Sequence, residues 1–276
     1  MFINDQPDAA APATATTTPG SSPWRGLVFL LISIPLVVVA YQGLPIPVAV
    51  PGLPGVVAVM LLIFSSVLLK HEGRSLAELG LSWSLGTAGK LACGFAGGVL
   101  LFAFAALLLR AVLPFHWERS PDILPLAVLA ALLYHLATNA CEELAFRGYA
   151  FDNLILRFGL WPAQLLIAML FAMFHIVSGW PWEVAFISTT AGSLLFGLVF
   201  VRWRSVPAAI GVHAAWNWSR DLILGVPPGG AALWTPAGAE RWTPAQWSMA
   251  QLLLVGVTLA ACAAIRLSMS GAAQHS

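Results

Sequence analysis

Between Tyr134 and Phe151 the chain reads YHLATNACEELAFRGYAF, which sets His135, Asn139, Glu142, Glu143 and Arg147 inside one of its most apolar regions. An ionisable side chain at the centre of a hydrocarbon layer costs about 2.5–3.5 kcal/mol on insertion scales, so each such group is read first as functional. At the helical 100° per residue, His135, Thr138, Asn139 and Glu142 fall within one arc, while Glu143 and Arg147 lie on the neighbouring face. Glu143 and Arg147 stand at i and i+4 with the acid toward the N-terminus, the spacing of a structural ion pair. Glu142 has no such partner on its own helix, which leaves its carboxyl group free to take and return protons.

Two further pairs carry comparable chemistry: Phe171 and His175 in FAMFH, and His213 and Asn217 in HAAWN. Counting about 1.5 Å per residue from the turn RFGLWP puts Glu142 roughly 25 Å and His175 roughly 21 Å along their helices, so that the two come level in a hairpin. From the next turn, RWRSVP, His213 and Asn217 stand at about 12 and 18 Å on one face, a gap that helix tilt has to close. Glu142, His175, His213 and Asn217 are therefore expected to converge within the membrane, reached from the cytoplasmic side. Several such groups at compatible depth point to chemistry rather than to packing.

The elements that must position these groups follow from composition. Of 276 residues 59% are hydrophobic and 9% charged, against about 25% charged in an ordinary soluble domain. Apolar runs at about 26–43, 54–69, 88–109, 123–158, 160–178, 183–201, 206–224 and 246–265 each approach or exceed the roughly 17–25 residues that cross a bilayer. The expected fold is all-α, a polytopic transmembrane bundle of about eight spans around an intramembrane polar cavity. Its divisions are a disordered tail at 1–22 that lacks the pattern of a signal peptide, helices one to three within 23–122, a catalytic core at 123–224, and an outer loop, last helix and short tail at 225–276. Arg25, Lys70, Arg74, Lys90, Arg157, Arg202, Arg204 and Arg266 fall on one side of the spans and Arg110, Arg119, Arg220 and Arg241 in loops on the other. That excess places both termini in the cytoplasm of a multi-pass cell-membrane protein. Residues 70–83 then form a cytoplasmic amphipathic piece, and the tryptophans of 225–247 suit an interface belt.

The glutamate, histidine and asparagine positions resemble the motif set of the CAAX prenyl protease and bacteriocin-processing family, the type II CAAX (Ras-converting) proteases and their prokaryotic relatives. EExxxR is matched by Glu142, Glu143 and Arg147, FxxxH by Phe171 to His175, and HxxxN by His213 to Asn217, in that order along the chain. RSLAELGL ahead of the third span is similar to a further feature of the family. The resemblance covers about Ile123 to Leu224. It implies an eight-span bundle with a cavity open toward cytoplasm and lipid, in which Glu142 and His175 activate water, His213 and Asn217 stabilise the oxyanion, and Glu143 and Arg147 shape the site. Glu142, His175 and His213 also make a His/His/Glu set for a divalent metal such as Zn2+, so a metalloprotease and a metal-independent glutamate protease are both open. The implied partners are the lipid bilayer and a peptide or protein substrate at the membrane, a CAAX-type lipidated tail or a peptide precursor.

Two other classes compete. A non-catalytic immunity or scaffold protein binding a peptide in the same cavity would dispense with Glu142 and depend on walls such as Phe171 and Trp216. A proton-coupled transporter would use the same polar stripe, but no inverted repeat is visible. Nothing points to nucleic acid. Cys93, Cys141 and Cys262 read as small buried hydrophobes, and a desolvated Cys141 thiol is a poor nucleophile. His71, His116 and His275 read as solvated, His135 as hydrogen-bonding within the stripe, Asp152 and Asn153 as capping or lining the entrance, and Trp180 and Trp182 as interface anchors.

Overall fold

The apolar runs become helices, because in hydrocarbon a helix satisfies its backbone donors and acceptors within its own segment. The computed structural model describes residues 23–42, 52–121, 125–225 and 232–272; the expected tail at 1–22 and His275 lie outside them. Helix α1 spans Pro23–Gln42, α2 Leu53–His71, α3 Leu85–Val112, α4 Pro125–Phe146, α5 Tyr149–Phe158 and α6 Leu160–Val177. Helix α7 runs Trp182–Trp203 with a π turn at Ala185–Thr189, followed by α8 at Val206–Leu224 and α9 at Pro244–Ala272. Six of them, α1, α2, α3, α6, α7 and α9, are long and apolar enough to cross a membrane. The protein is a multi-pass, helical membrane protein.

The two helices that carry most of the polar motifs, α4 and α8, pack against each other. Helix α4 also lies on α1 and α2, and α8 on α3 and α7. Their functional residues dilute their hydropathy, so they depend on these apolar neighbours for shelter. The closest crossing is α3 on α8, and small residues make it possible. A Cβ at Gly98 of α3 would stand 2.6 Å from the Val212 carbonyl oxygen, and one at Gly211 of α8 would stand 2.3 Å from that of Leu91.

The expectation of a single helix over 123–158 is corrected. Helix α4 ends at Phe146, the chain turns through Arg147 and Gly148, and α5 starts afresh at Tyr149. Gly148 lies on the Leu144 carbonyl, which would stand 2.6 Å from a Cβ there. The depth of Glu142 counted through this break is therefore void: Glu142 and Glu143 occupy the last turn of α4.

The ends of the bundle differ. At one, β1 (His116–Arg119) pairs antiparallel with β2 (Trp234–Ala237), His116 opposite Ala237 and Arg119 opposite Trp234, a short ribbon added to the expected all-α architecture. Trp242 anchors it, its indole N–H donating to the Pro114 carbonyl at 3.1 Å. At the other end, where α1 begins, Arg74 pairs with Asp152, with Glu78 at 2.8 Å and with Glu72 at 3.6 Å, while Arg204 reaches Asp152 at 2.7 Å. Asp152 and Asn153 are buried here, so their expected place at the cavity entrance is corrected: Asp152 ties α5 to the Arg74 segment and to the turn before α8. That segment folds as a 3-10 turn, Leu76–Leu79, closed by a capping box between Ser75 and Glu78.

Candidate active site

His213, near the middle of α8, lies between the two adjacent glutamates at the end of α4. Its Nδ1 is 2.8 Å from Glu143 Oε1 and its Nε2 3.7 Å from Glu142 Oε2. All three side chains are almost wholly buried. Glu143 thus has a second role beside the expected ion pair: Arg147 Nη1 stands 3.2 Å from the same Oε1 that meets His213. A fully buried guanidinium is tolerable only with partners. Beyond Glu143 it has the ring face of Phe171, 4.3 Å away, so the first residue of FxxxH seats the arginine of EExxxR. Phe196 of α7 stacks on His213 at 4.0 Å and 21°, fixing the imidazole plane.

His175 comes to the same place from α6. Its Nδ1 donates to the Phe171 carbonyl at 2.9 Å, which leaves Nε2 as the acceptor. Phe171, Phe174 and Trp180 surround its ring at 4.5, 5.0 and 5.2 Å. Trp180, expected as an interface anchor, is thereby reassigned to the site, whereas Trp182 is 63% exposed as an anchor would be.

Asn217 stands one turn beyond His213. Its Nδ2 donates to Asn139 Oδ1 at 2.9 Å, and Asn139 Nδ2 donates to the His135 carbonyl at 2.7 Å. One Nδ2 hydrogen of Asn217 therefore remains for another acceptor. Farther along, His135 Nε2 is 2.9 Å from Asp221 Oδ2, and Asp221 Oδ1 accepts from Arg220. His135 is a partner of α8, not simply a neighbour within its own stripe. Arg220, expected in an outer loop, belongs to α8.

These groups enclose a cavity of ≈ 300 Å³ lined by Glu142, His175, His213 and Asn217 among others. Sequence reasoning missed Tyr41, whose hydroxyl donates to Glu142 Oε1 from the last turn of α1. A lone tyrosine closing an apolar helix carries no motif; only its hydroxyl in an otherwise apolar run could have marked it. Glu142 Oε2 is buried and has no hydrogen-bond partner.

Besides Tyr41, which meets Glu142, the lining includes Tyr134, Ser178, Trp180, Arg220 and Asp221. Tyr41, Arg220 and Asp221 lie near the C-terminal ends of α1 and α8, Ser178 and Trp180 in the turn after α6, and Tyr134 midway along α4, so the lining extends toward the ribbon end of the bundle. Phe146, Arg147, Tyr149 and Phe151, at the end of α4 and the start of α5, are fully buried and not among the lining residues. The cavity thus opens away from the end where α1 begins and α9 finishes.

The donor chemistry of Glu142 and His213 suits a metal, with one unpartnered carboxylate oxygen beside an imidazole nitrogen. Among the described residues, however, no three His, Cys, Asp or Glu side chains are gathered as a metal site. Cys141 and Cys262 are buried as expected, while Cys93 is exposed on α3.

Residues 124–219, which contain EExxxR, FxxxH and HxxxN complete, match the family model of type II CAAX prenyl endopeptidases, Rce1-like. No curated protein matches the chain.

Proposed function

We propose that this chain, a membrane protein with a type II CAAX prenyl endopeptidase Rce1-like match over 124–219, hydrolyses a peptide bond of a membrane-associated or lipidated protein or peptide precursor within its own bundle. The observation that carries the reading is the meeting of Glu142, His175, His213 and Asn217 around one buried cavity. Tyr41 occupies one oxygen of Glu142 and leaves the other free. That oxygen takes a proton from a water positioned with His175 Nε2, and the hydroxide attacks the carbonyl carbon. In this proposal His213 carries protons on both nitrogens, one directed at Glu143, and its Nε2–H and the spare Nδ2–H of Asn217 donate to the oxyanion. Glu142 then returns its proton to the leaving amine as the C–N bond breaks. A preorganised site that excludes bulk water strengthens each of these interactions.

No step is routed through a metal ion, and the reading predicts that activity persists in chelator at far less than one bound metal per protein. Restoration of a chelated, inactive protein by Zn2+ would assign the reaction to a metalloprotease. The Lys and Arg excess at the far end of the bundle supports cytoplasmic termini, which turns the cavity toward the opposite face of the membrane.

The test compares peptide termini in membranes from cells making native protein and Glu142→Gln at equal levels. Termini that appear only with the native protein support a protease and nominate substrates. Identical termini at full coverage would sink the proposal and favour a peptide-binding scaffold.

A further inference from the structure

On the far side of α8 from its packing with α4, a groove of ≈ 580 Å³ runs between α3, α7 and α9. It shares no lining residue with the reactive cavity. Gly89, Cys93 and Gly97 of α3 are exposed along it, while Leu195, Val199 and Ala208 are buried at its base. The glycines leave room there: a Cβ at Gly89 or at Gly97 would meet nothing within 4 Å.

Among the described residues the lining holds a single charged side chain, Lys90, and no acid. Lys90 Nζ donates to the Trp203 carbonyl at 3.3 Å, which engages one of the ammonium group's three donors. Arg202 is the second cation at this end, its guanidinium 5.7 Å from the centre of the Trp203 ring and its Nε 3.3 Å from Ser268 Oγ. Both cations meet neutral oxygens, and among the described residues neither forms an ion pair. Trp83 and Leu85, which project fully from the start of α3, and the half-exposed Trp203 set this end at the level of lipid headgroups. From Lys90 to Leu101 the groove follows α3 for about 16 Å, one leaflet of a hydrocarbon layer roughly 30 Å thick. Two-fold pairing of this face with a second copy would instead bring cation toward cation with no acid to compensate.

We propose that this groove binds one anionic phospholipid of the surrounding bilayer, its phosphate at Lys90 and Arg202 and one acyl chain lying along α3 toward Leu101. Uncompensated cations at headgroup level above an apolar channel one leaflet deep complement both halves of such a lipid. Val212, which also lines the groove, adjoins His213, so the lipid backs the helix that carries the imidazole. The inference is independent of the protease reading.

The test is read at Cys93, which lines the groove and is exposed, whereas Cys141 and Cys262 are buried. Full-length protein in neutral detergent is labelled with N-ethylmaleimide in the presence of dioleoyl phosphatidylglycerol, dioleoyl phosphatidylcholine or inorganic phosphate. Half-protection of Cys93 is expected at a phosphatidylglycerol concentration on the order of 5- to 30-fold below that of phosphatidylcholine, the scale of one to two surface cations. Inorganic phosphate is expected to give no protection. Lys90→Gln with Arg202→Gln brings the two lipids level; if that variant does not fold, raising the salt concentration on the native protein shrinks the same preference. Gly89→Leu fills the groove and favours the helix, and its native mass spectrum is expected to retain one phosphatidylglycerol fewer than that of the native protein. Equal protection by the two lipids, or a preference that survives loss of both cations or high salt, overturns the inference. So does an unchanged lipid count in Gly89→Leu. Protection by inorganic phosphate as strong as by phosphatidylglycerol would give the cations to a free anion and overturn the lipid assignment. Protection that rises with protein concentration in the absence of lipid would give the face to a second copy and overturn it as well.

Discussion

Glu142 is the residue whose two oxygens differ: Oε1 accepts from Tyr41, while Oε2 has no hydrogen-bond partner and lies 3.7 Å from His213 Nε2. Glu142→Gln keeps the shape and removes the base; general-base catalysis contributes about 10²–10⁴-fold, and a loss of that order in turnover is expected. Tyr41→Phe removes only the hydroxyl, and the expected outcome is a displaced limb in the pH profile of kcat together with a fall of roughly 10-fold, the scale of one charged hydrogen bond. An unchanged profile would show that Tyr41 merely fills space. Arg147 is of another kind. Arg147→Met strips Glu143 of its buried countercharge, and removing one partner of such a pair costs about 3–5 kcal/mol. Thermal unfolding in detergent should register this even for preparations in which activity is not measured. The glutamates, histidines and asparagine were legible because polar residues in an apolar run have few bland explanations. Tyr41 was not, since the contact joins residues 101 apart in sequence.

Helices α3 and α8 offer a test in which two neighbouring glycines behave oppositely. A Cβ at Gly98 collides with the backbone of Val212, whereas one at Gly97 meets nothing within 4 Å. Gly98→Val should therefore abolish or sharply reduce folded protein, and Gly97→Val should leave its yield and unfolding temperature near native. Equal behaviour of the two would mean that this crossing is looser than described. The same element holds His213 and Asn217 in place, so a displaced α3 also displaces chemistry to which it contributes no motif residue. Most helices could be drawn from hydropathy to within a few residues. The break at Gly148 could not: a tertiary contact decides it, and the run YAFDNLILRF is apolar enough to read as continuation. The short ribbon was hidden for a related reason, because its strands lie 115 or more residues apart and neither alternates clearly.

At the scale of the molecule, the Arg74, Asp152 and Arg204 network and the mouth of the cavity occupy opposite ends. The charge excess predicts that Arg157→Cys in a background without native cysteines is shielded from a membrane-impermeant thiol reagent outside intact cells, while Glu240→Cys near the ribbon is labelled. The reverse pattern would turn the protein over and direct the cavity to the cytoplasm. The amino-acid sequence by itself determined that this is a helical membrane protein, and it singled out two glutamates, two histidines and an asparagine as the candidates for its chemistry. Both conclusions follow from local cost, since apolar runs must be helical in lipid and polar groups within them need a purpose. Only the tertiary structure decided that His213 stands between Glu142 and Glu143, that Tyr41 and Arg220 reach the cavity, and that the cavity opens away from the termini. Those facts depend on which residues far apart in the chain come into contact, and neither helical periodicity nor composition encodes a distance between helices.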